Sequence, residues 1–298
     1  MDRKYATGLG ILAIGAVSLG AYACSSETTA PTATPAPSAS ATGTTTNTAQ
    51  PDSGAPPEAR KSGDVRLTTY FSGAAQVSAT FVTDAAPKIA GCTSTTSGAC
   101  TFVDCDANAS SKPASLVSAG AIEIYGGTPE VSIQVEPQQN VYVANKPAPA
   151  GKSFVAASRV SVRAAGAAVP AFEGTVDFPE LVKMTAPTLG SAASVARDQD
   201  LAVSWTQGAA NRFVAVSLSA RTADRTLSLT CELPAEPGSG KIPAALLGKL
   251  PAGPAEIASI TFARSMIEAG TFDVAARVGG ESLTAAGDAE WTGRVTLK

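Results

Sequence analysis

Apolar and polar residues alternate with period two through much of the chain beyond residue 64, the pattern of strands with one face buried. Val131, Ile133 and Val135 alternate with Ser132, Gln134 and Glu136, and Val160 and Val162 with Ser161 and Arg163. Leu201, Val203 and Trp205 alternate with Ala202, Ser204 and Thr206. Val214, Val216 and Leu218 repeat the pattern, as do Phe272, Val274, Ala276 and Val278. The final run sets Trp291, Gly293, Val295 and Leu297 on one face. Gly126-Gly127, Gly151-Lys152 and Gly279-Gly280 read as turns between these runs. One short helix is expected at residues 242–250, opened by Pro243 and ended near Pro251. Many short strands separated by turn signals predict an all-β fold of two tandem antiparallel β-sandwich domains. Pro179, Pro187 and Gly190 place the break between them, giving residues 64–185, with a Cys-containing loop, and residues 186–298.

The start of the chain carries a different signal. Asp2, Arg3 and Lys4 precede an uncharged run over residues 9–23 that is too short for a bilayer span of about 20 helical residues. A basic start, a brief apolar stretch and a small-residue end describe a secretory signal peptide over residues 1–23. Ala21-Tyr22-Ala23 fits the A-x-A rule for cleavage, which makes Cys24 the new N-terminus. From there to residue 63 the chain is mostly Ser, Thr, Ala, Pro and Gly, and no aliphatic side chain larger than Ala occurs before Val65. Such a stretch buries too little surface to offset its ordering entropy, so a disordered tether is expected. As a coil it would span on the order of 35 Å.

Ala21-Tyr22-Ala23-Cys24 also resembles a bacterial lipobox, and the resemblance implies a lipid on the Cys24 thiol. Ser25 after it implies, by the same resemblance, transfer to the outer membrane, on its periplasmic or surface face; plain secretion is the alternative. Trp205 alternating into the interior resembles the core Trp of immunoglobulin-like and fibronectin-III-like domains, which implies an immunoglobulin-like sandwich for residues 186–298. Signal, lipobox, Ser/Thr/Pro tether and β-sandwich body together resemble surface lipoproteins of Gram-negative bacteria.

Composition narrows the chemistry. The chain has no histidine, which removes Ser-His-Asp and Cys-His nucleophiles, imidazole acid–base schemes and His-ligated zinc. Net charge is −3 overall and −4 once Asp2, Arg3 and Lys4 are set aside, with no basic stripe for nucleic acid. Cys92, Cys100, Cys105 and Cys231 form an even set, expected as disulfides in an oxidising compartment. A local Cys92–Cys100 bridge across a Ser/Thr/Gly turn is the first expectation. Cys231, in phase with Leu227, Leu229 and Leu233, then either reaches Cys105 or remains a buried thiol.

Asp104, Asp106 and Asn108 have the oxygen-ligand spacing that opens a calcium loop, but Ala109 and Ser115 stand where such a loop needs Gly and Glu, so a polar loop is expected. Gly151-Lys152-Ser153 and Gly240-Lys241 lack the glycine-rich lead of a phosphate cradle and read as turns. Glu130, Glu136, Asp177, Glu180, Asp198 and Asp200 sit near strand ends, where a converging pair would suit glycoside hydrolysis. Tyr70, Phe71, Tyr125 and Tyr142 are candidates for a carbohydrate-stacking platform, with core packing the simpler role. The expectation is a non-enzymatic envelope protein, without cofactor, held to a membrane through its lipid and serving binding, adhesion or structure through an envelope protein or glycan partner. A glycan- or peptide-binding module serving an enzyme or transporter is the alternative, and a carboxylate-dependent glycoside hydrolase the third reading.

Overall fold

The computed structural model describes residues 61–298 except 72–73, 84–89, 108, 110–114, 129, 148–154 and 191–192. The signal segment, Cys24 and the tether up to residue 60 lie outside the described residues, as do Asn108 and Gly151-Lys152-Ser153. The described residues open with a hairpin of β1 (Lys61–Thr69) and β2 (Ala74–Val82), then a second of β3 (Cys92–Ser97) and β4 (Cys100–Asp106). β5 (Ile122–Gly126) and β6 (Val131–Val135) pair, β7 (Tyr142–Pro147) returns to β2, and β8 (Arg159–Ala164) and β9 (Phe172–Asp177) follow. Next come β10 (Lys183–Ala186), β11 (Ser194–Val195), β12 (Leu201–Trp205), β13 (Arg212–Arg221), β14 (Arg225–Pro234), β15 (Ser239–Ile242) and the helix α1 (Ala244–Leu247). The last elements are β16 (Gly253–Ala269), β17 (Phe272–Glu281), β18 (Leu283–Thr284) and β19 (Thr292–Leu297).

The alternating runs form strands where expected, because each places its apolar residues on one face of a pleated ribbon. Val131, Ile133 and Val135 of β6 are buried between exposed Ser132 and Gln134, and Trp205 of β12 is 4% exposed. Strands pair into an eleven-stranded sheet ordered β3-β4-β14-β13-β16-β17-β1-β2-β7, with β19 attached to β16 and β11 to β19. Two four-stranded sheets, β6-β5-β8-β9 and β15-β12-β10-β18, make up the rest. One core lies between the β6-to-β9 sheet and the β16-β17-β1-β2-β7 end of the long sheet, around Phe81, Tyr142, Phe172 and Val274. The other lies between the β15-to-β18 sheet and the end that holds β4, β14, β13, β16 and β19, around Phe102, Trp205, Leu229 and Trp291.

β16 belongs to both. Its residues 253–258 pair with β19 and its residues 260–269 with β17 along one edge, while β13 occupies the other. Ala255 and Ile257 face the second core; Ala263, Ile267 and Ala269, in the same alternation, face the first. Between them Ser259 and Thr261 are buried, and both hydroxyls lie 2.9 Å from the Ser282 hydroxyl. Thr261 also accepts the Val182 N–H at 3.1 Å, so the polar groups at the seam are satisfied within the protein.

Several expectations change. The division at 185/186 does not separate the two cores: β16 and β17 fill the first, and Cys100 and Phe102 of β4 the second. Pairing is antiparallel except for β1–β17, β10–β18 and β11–β19, which are parallel. Lys61, Ser62 and Gly63, the last three residues of the expected tether, belong to β1, which is lined up with β17 from Lys61 opposite Phe272. Gly63 belongs to that strand for a packing reason: a Cβ there would lie 2.6 Å from the Phe81 ring. Gly279-Gly280 is not a turn but part of β17, where a Cβ on Gly279 would meet the Thr261 carbonyl oxygen at 2.2 Å. The helix is shorter than 242–250, because Ile242 ends β15 and Pro243 caps α1.

Candidate functional site: a charged row on the outer face of the long sheet

The alternation that sends Val65, Leu67, Val274 and Val278 into the first core sends Asp64, Arg66 and Arg277 to the opposite face. On the neighbouring strands Phe262 and Arg264 of β16, Phe213 of β13 and Glu232 of β14 take the same face. Register brings Arg66 directly opposite Arg277, and Arg277 directly opposite Arg264, so three guanidinium groups stand abreast on adjacent strands. Like charges directly opposite one another destabilise a sheet unless something compensates.

Two carboxylates and two rings do so. Arg66 Nε donates to Asp64 Oδ1 at 2.5 Å, and the other oxygen of Asp64 lies 3.0 Å from Arg277 Nε. Arg277 Nη1 donates to Glu232. Phe213 and Phe262 stack with centroids 5.4 Å apart; Arg264 lies 4.7 Å over the first ring and Arg277 5.3 Å over the second. β14 and β17 are third neighbours, about 14 Å apart on a flat sheet. Glu232 and Arg277 therefore meet only by leaning inward over the stacked rings.

Burial makes the cluster electrostatically tense. Arg277 is 5% exposed, and loss of water pulls its guanidinium down to about 10. At Arg66 burial works against the charge, but the Asp64 carboxylate and more distant Glu232 outweigh it and hold the group above its ordinary value. Burial pushes the Glu232 carboxyl up, while Arg66 and Arg264 draw it back. Within the row, Asp64 and Glu232 bind Arg66 and Arg277, while Arg264 rests over the Phe213 ring at its end.

The other candidate residues are dispersed. Asp104 and Asp106 lie on β4, a strand where a loop was expected, and both bind Arg225, at 2.8 Å from Nε and 2.8 Å from Nη1 respectively. Among the described residues, no group of three or more Cys, Asp or Glu is placed to hold a metal ion. The cysteines pair as Cys92–Cys105 and Cys100–Cys231, in place of the expected Cys92–Cys100 bridge. Residues 93–97 are a strand rather than a turn, with the turn at Gly98 and Ala99, so Cys92 faces Cys105 across the hairpin. Cys100 in turn faces Cys231 on β14.

Tyr142 is a core residue whose hydroxyl donates to the Gly120 carbonyl at 2.8 Å. Tyr125 sits on β5 in a different sheet, with its hydroxyl 2.6 Å from Glu173, while Tyr70 and Phe71 follow β1. No shared aromatic platform forms. Asp177 pairs with Arg159 at 3.2 Å, Glu136 accepts from Gln134 at 2.9 Å, and Asp200 accepts the Ala244 N–H at 3.0 Å. Glu130 and Glu180 are exposed. Asp198 lines an open depression of about 740 Å³ with Arg197, Lys298 and the α1 residues Ala244 and Ala245. Lys241 is on β15. The arginine row escaped sequence reasoning because its residues lie up to 211 positions apart, and only strand register aligns them.

No family model matches the chain, and no curated protein does. Among solved structures, the FN1–FN3 domains of chicken CNTN1 align over 76% of this chain and 67% of that one, at 10% identity and a TM-score of 0.20. An overlap that loose assigns neither family nor function.

Proposed function

We propose that this chain is an exported, lipid-anchored envelope protein whose β body serves binding or structure rather than catalysis. The observation that carries export is the cysteine pairing. All four cysteines of the described body are in disulfides, which persist in oxidising compartments and are rare in the cytosol. The basic start, the apolar run and Ala21-Tyr22-Ala23-Cys24 supply the matching address. Metabolic labelling with an acyl precursor tests the anchor: the wild-type chain takes up label and fractionates with membranes, and Cys24→Ala does neither. Label that persists in Cys24→Ala, or never appears, removes the lipid from this reading.

The arginine row favours a second, narrower reading, in which the outer face of the long sheet binds an anionic glycan or peptide of the envelope. Arg264→Ala is the informative variant, since Arg264 lies at the end of the row and is more exposed than Arg277. It weakens capture of carboxylate-bearing oligosaccharides or acidic peptides if that face is the binding surface. Unchanged capture from both libraries would point away from it.

A further inference from the structure

The two ends of the described chain are held at opposite ends of one strand. Lys61 stands opposite Phe272, and Phe272 opposite Ala269, the last residue of β16. Leu297 stands opposite Gly253, the first residue of β16. The levels of Lys61 and Leu297 along the sheet are therefore separated by the 17 residues of β16, about 50 Å at the rise of an extended strand. β17 and β19 lie one after the other on the same edge of β16, both antiparallel to it, so they run in the same direction. β1, parallel to β17, shares that direction.

A pull that enters at Lys61 and leaves beyond Leu297 thus runs along the strands. We propose that the body is a load-bearing strut, built to carry tension in shear between its N-terminal attachment and whatever it holds at the far pole. This role rests on the anchored reading above for its biological use, but not for its mechanics. The load path is β1 to β17, β17 to β16, and β16 to β19. It crosses nine, ten and six consecutive register pairs respectively. Inter-strand hydrogen bonds lie across the strand axis in antiparallel pairs and slant across it in parallel ones. Tension along the axis loads a whole ladder at once, whereas tension across it opens a ladder rung by rung.

The connections support the same reading. β1 has a partner on both sides, β17 and β2, so it cannot peel from a free edge. The Lys61 N–H donates to the Thr271 carbonyl at 2.9 Å, which closes the ladder at the point where tension arrives. Thr69 at the other end of β1 is buried, and its hydroxyl donates to Gly279 O at 3.3 Å. The hydroxyl trio of Ser259, Thr261 and Ser282 ties the middle of the path at the point where β17 gives way to β19.

Single-molecule force spectroscopy on the whole chain tests this, with Cys24→Ser to remove the free thiol. One set of handles is placed at the N-terminus and after Lys298. The other is at the N-terminus and at an introduced Thr83→Cys, an exposed site beside the start of β1, since Ser62 pairs with Val82. The first geometry shears the sheet and the second unzips β1 from β2. Because forced unfolding is governed by the barrier out of the native state, the end-to-end pull is expected to need roughly twofold or more the force of the unzipping pull at equal loading rate. Equal or lower end-to-end force overturns the proposal. Failure of acyl labelling with the force difference intact would remove the anchor and leave the strut standing.

Discussion

Arg277 is where the outer-face charges converge: Asp64 and Glu232 both reach it, Phe262 lies beneath it, and water barely touches it. Arg277→Ala strands two carboxylates beside Arg66 with the bridging cation gone. A loss of about 3 kcal/mol in urea unfolding is expected, at the lower end for broken buried pairs because Asp64 and Glu232 keep some solvent contact. The double variant Arg277→Ala/Glu232→Ala should lose less than the two single losses added, since the residues share one interaction. Glu281 carries a different tension. Burial holds its carboxyl above the ordinary glutamate value, with the Phe71 N–H, 2.8 Å away, opposing and Glu290 adding to the rise. A raised folded-state value means that the native protein binds the proton more readily than the unfolded chain, so Glu281 costs stability as pH rises through that window. Glu281→Gln keeps an acceptor for Phe71 and removes the cost. It should be more stable than wild type at neutral pH, with the difference vanishing below the ordinary glutamate range. Equal thermal midpoints of the two proteins at both pH values would contradict this.

Within the β3–β4 hairpin only β4 packs, through Cys100 and Phe102; residues 93–97 of β3 are all exposed, yet a disulfide holds the hairpin at each end. Cys100–Cys231 spans 131 positions and is buried; Cys92–Cys105 spans 13 and is partly exposed. On loop-closure entropy the first restrains the unfolded chain by about 5 kcal/mol and the second by about 3 kcal/mol, as model values. Replacing each pair by serines should therefore cost more at Cys100/Cys231. Under mild reductant, alkylation followed by mass spectrometry should find Cys92 and Cys105 modified first; the opposite order would mean the hairpin shields its own bridge. The pairing also shows what was legible in the sequence. Period two gave β6, β8, β12, β13, β17 and β19, and the phase of Cys231 with Leu229 correctly put it inside. Its partner was not legible, because which strands lie side by side depends on contacts across more than a hundred residues. Glycine misled for the same reason. Gly126 and Gly127 make a turn with positive φ, whereas Gly279 serves a close approach of β16 that only the assembled sheet reveals. The arginine row shares this limit: outward positions could be read from alternation, but their alignment could not.

At the scale of the whole molecule, the two cores are one folding problem. The first is closed by Ile267, Phe272, Val274 and Val278, all from the last third of the chain, and the second takes Phe102 from the N-terminal half. Burying Ile267, Phe272, Val274 and Val278 is worth about 6 kcal/mol even at 1.5 kcal/mol each. That matches the lower range of a domain's entire net stability, roughly 5–15 kcal/mol. Neither half can lose that contribution and remain folded. Residues 61–186 expressed alone lack β16 and β17, and residues 187–298 alone lack β4 as well as β10, which pairs with β12. Each fragment should give poorly dispersed amide spectra and no cooperative melting, while the full chain unfolds in one transition by both fluorescence and circular dichroism. Trp205 and Trp291 both report on the second core, so a first core that unfolded separately would appear as a circular dichroism change without a fluorescence change. That outcome, or a folded fragment, would restore the tandem arrangement that the strand pattern predicts and would place the load path of β16 across an interface between domains instead of through a continuous sheet.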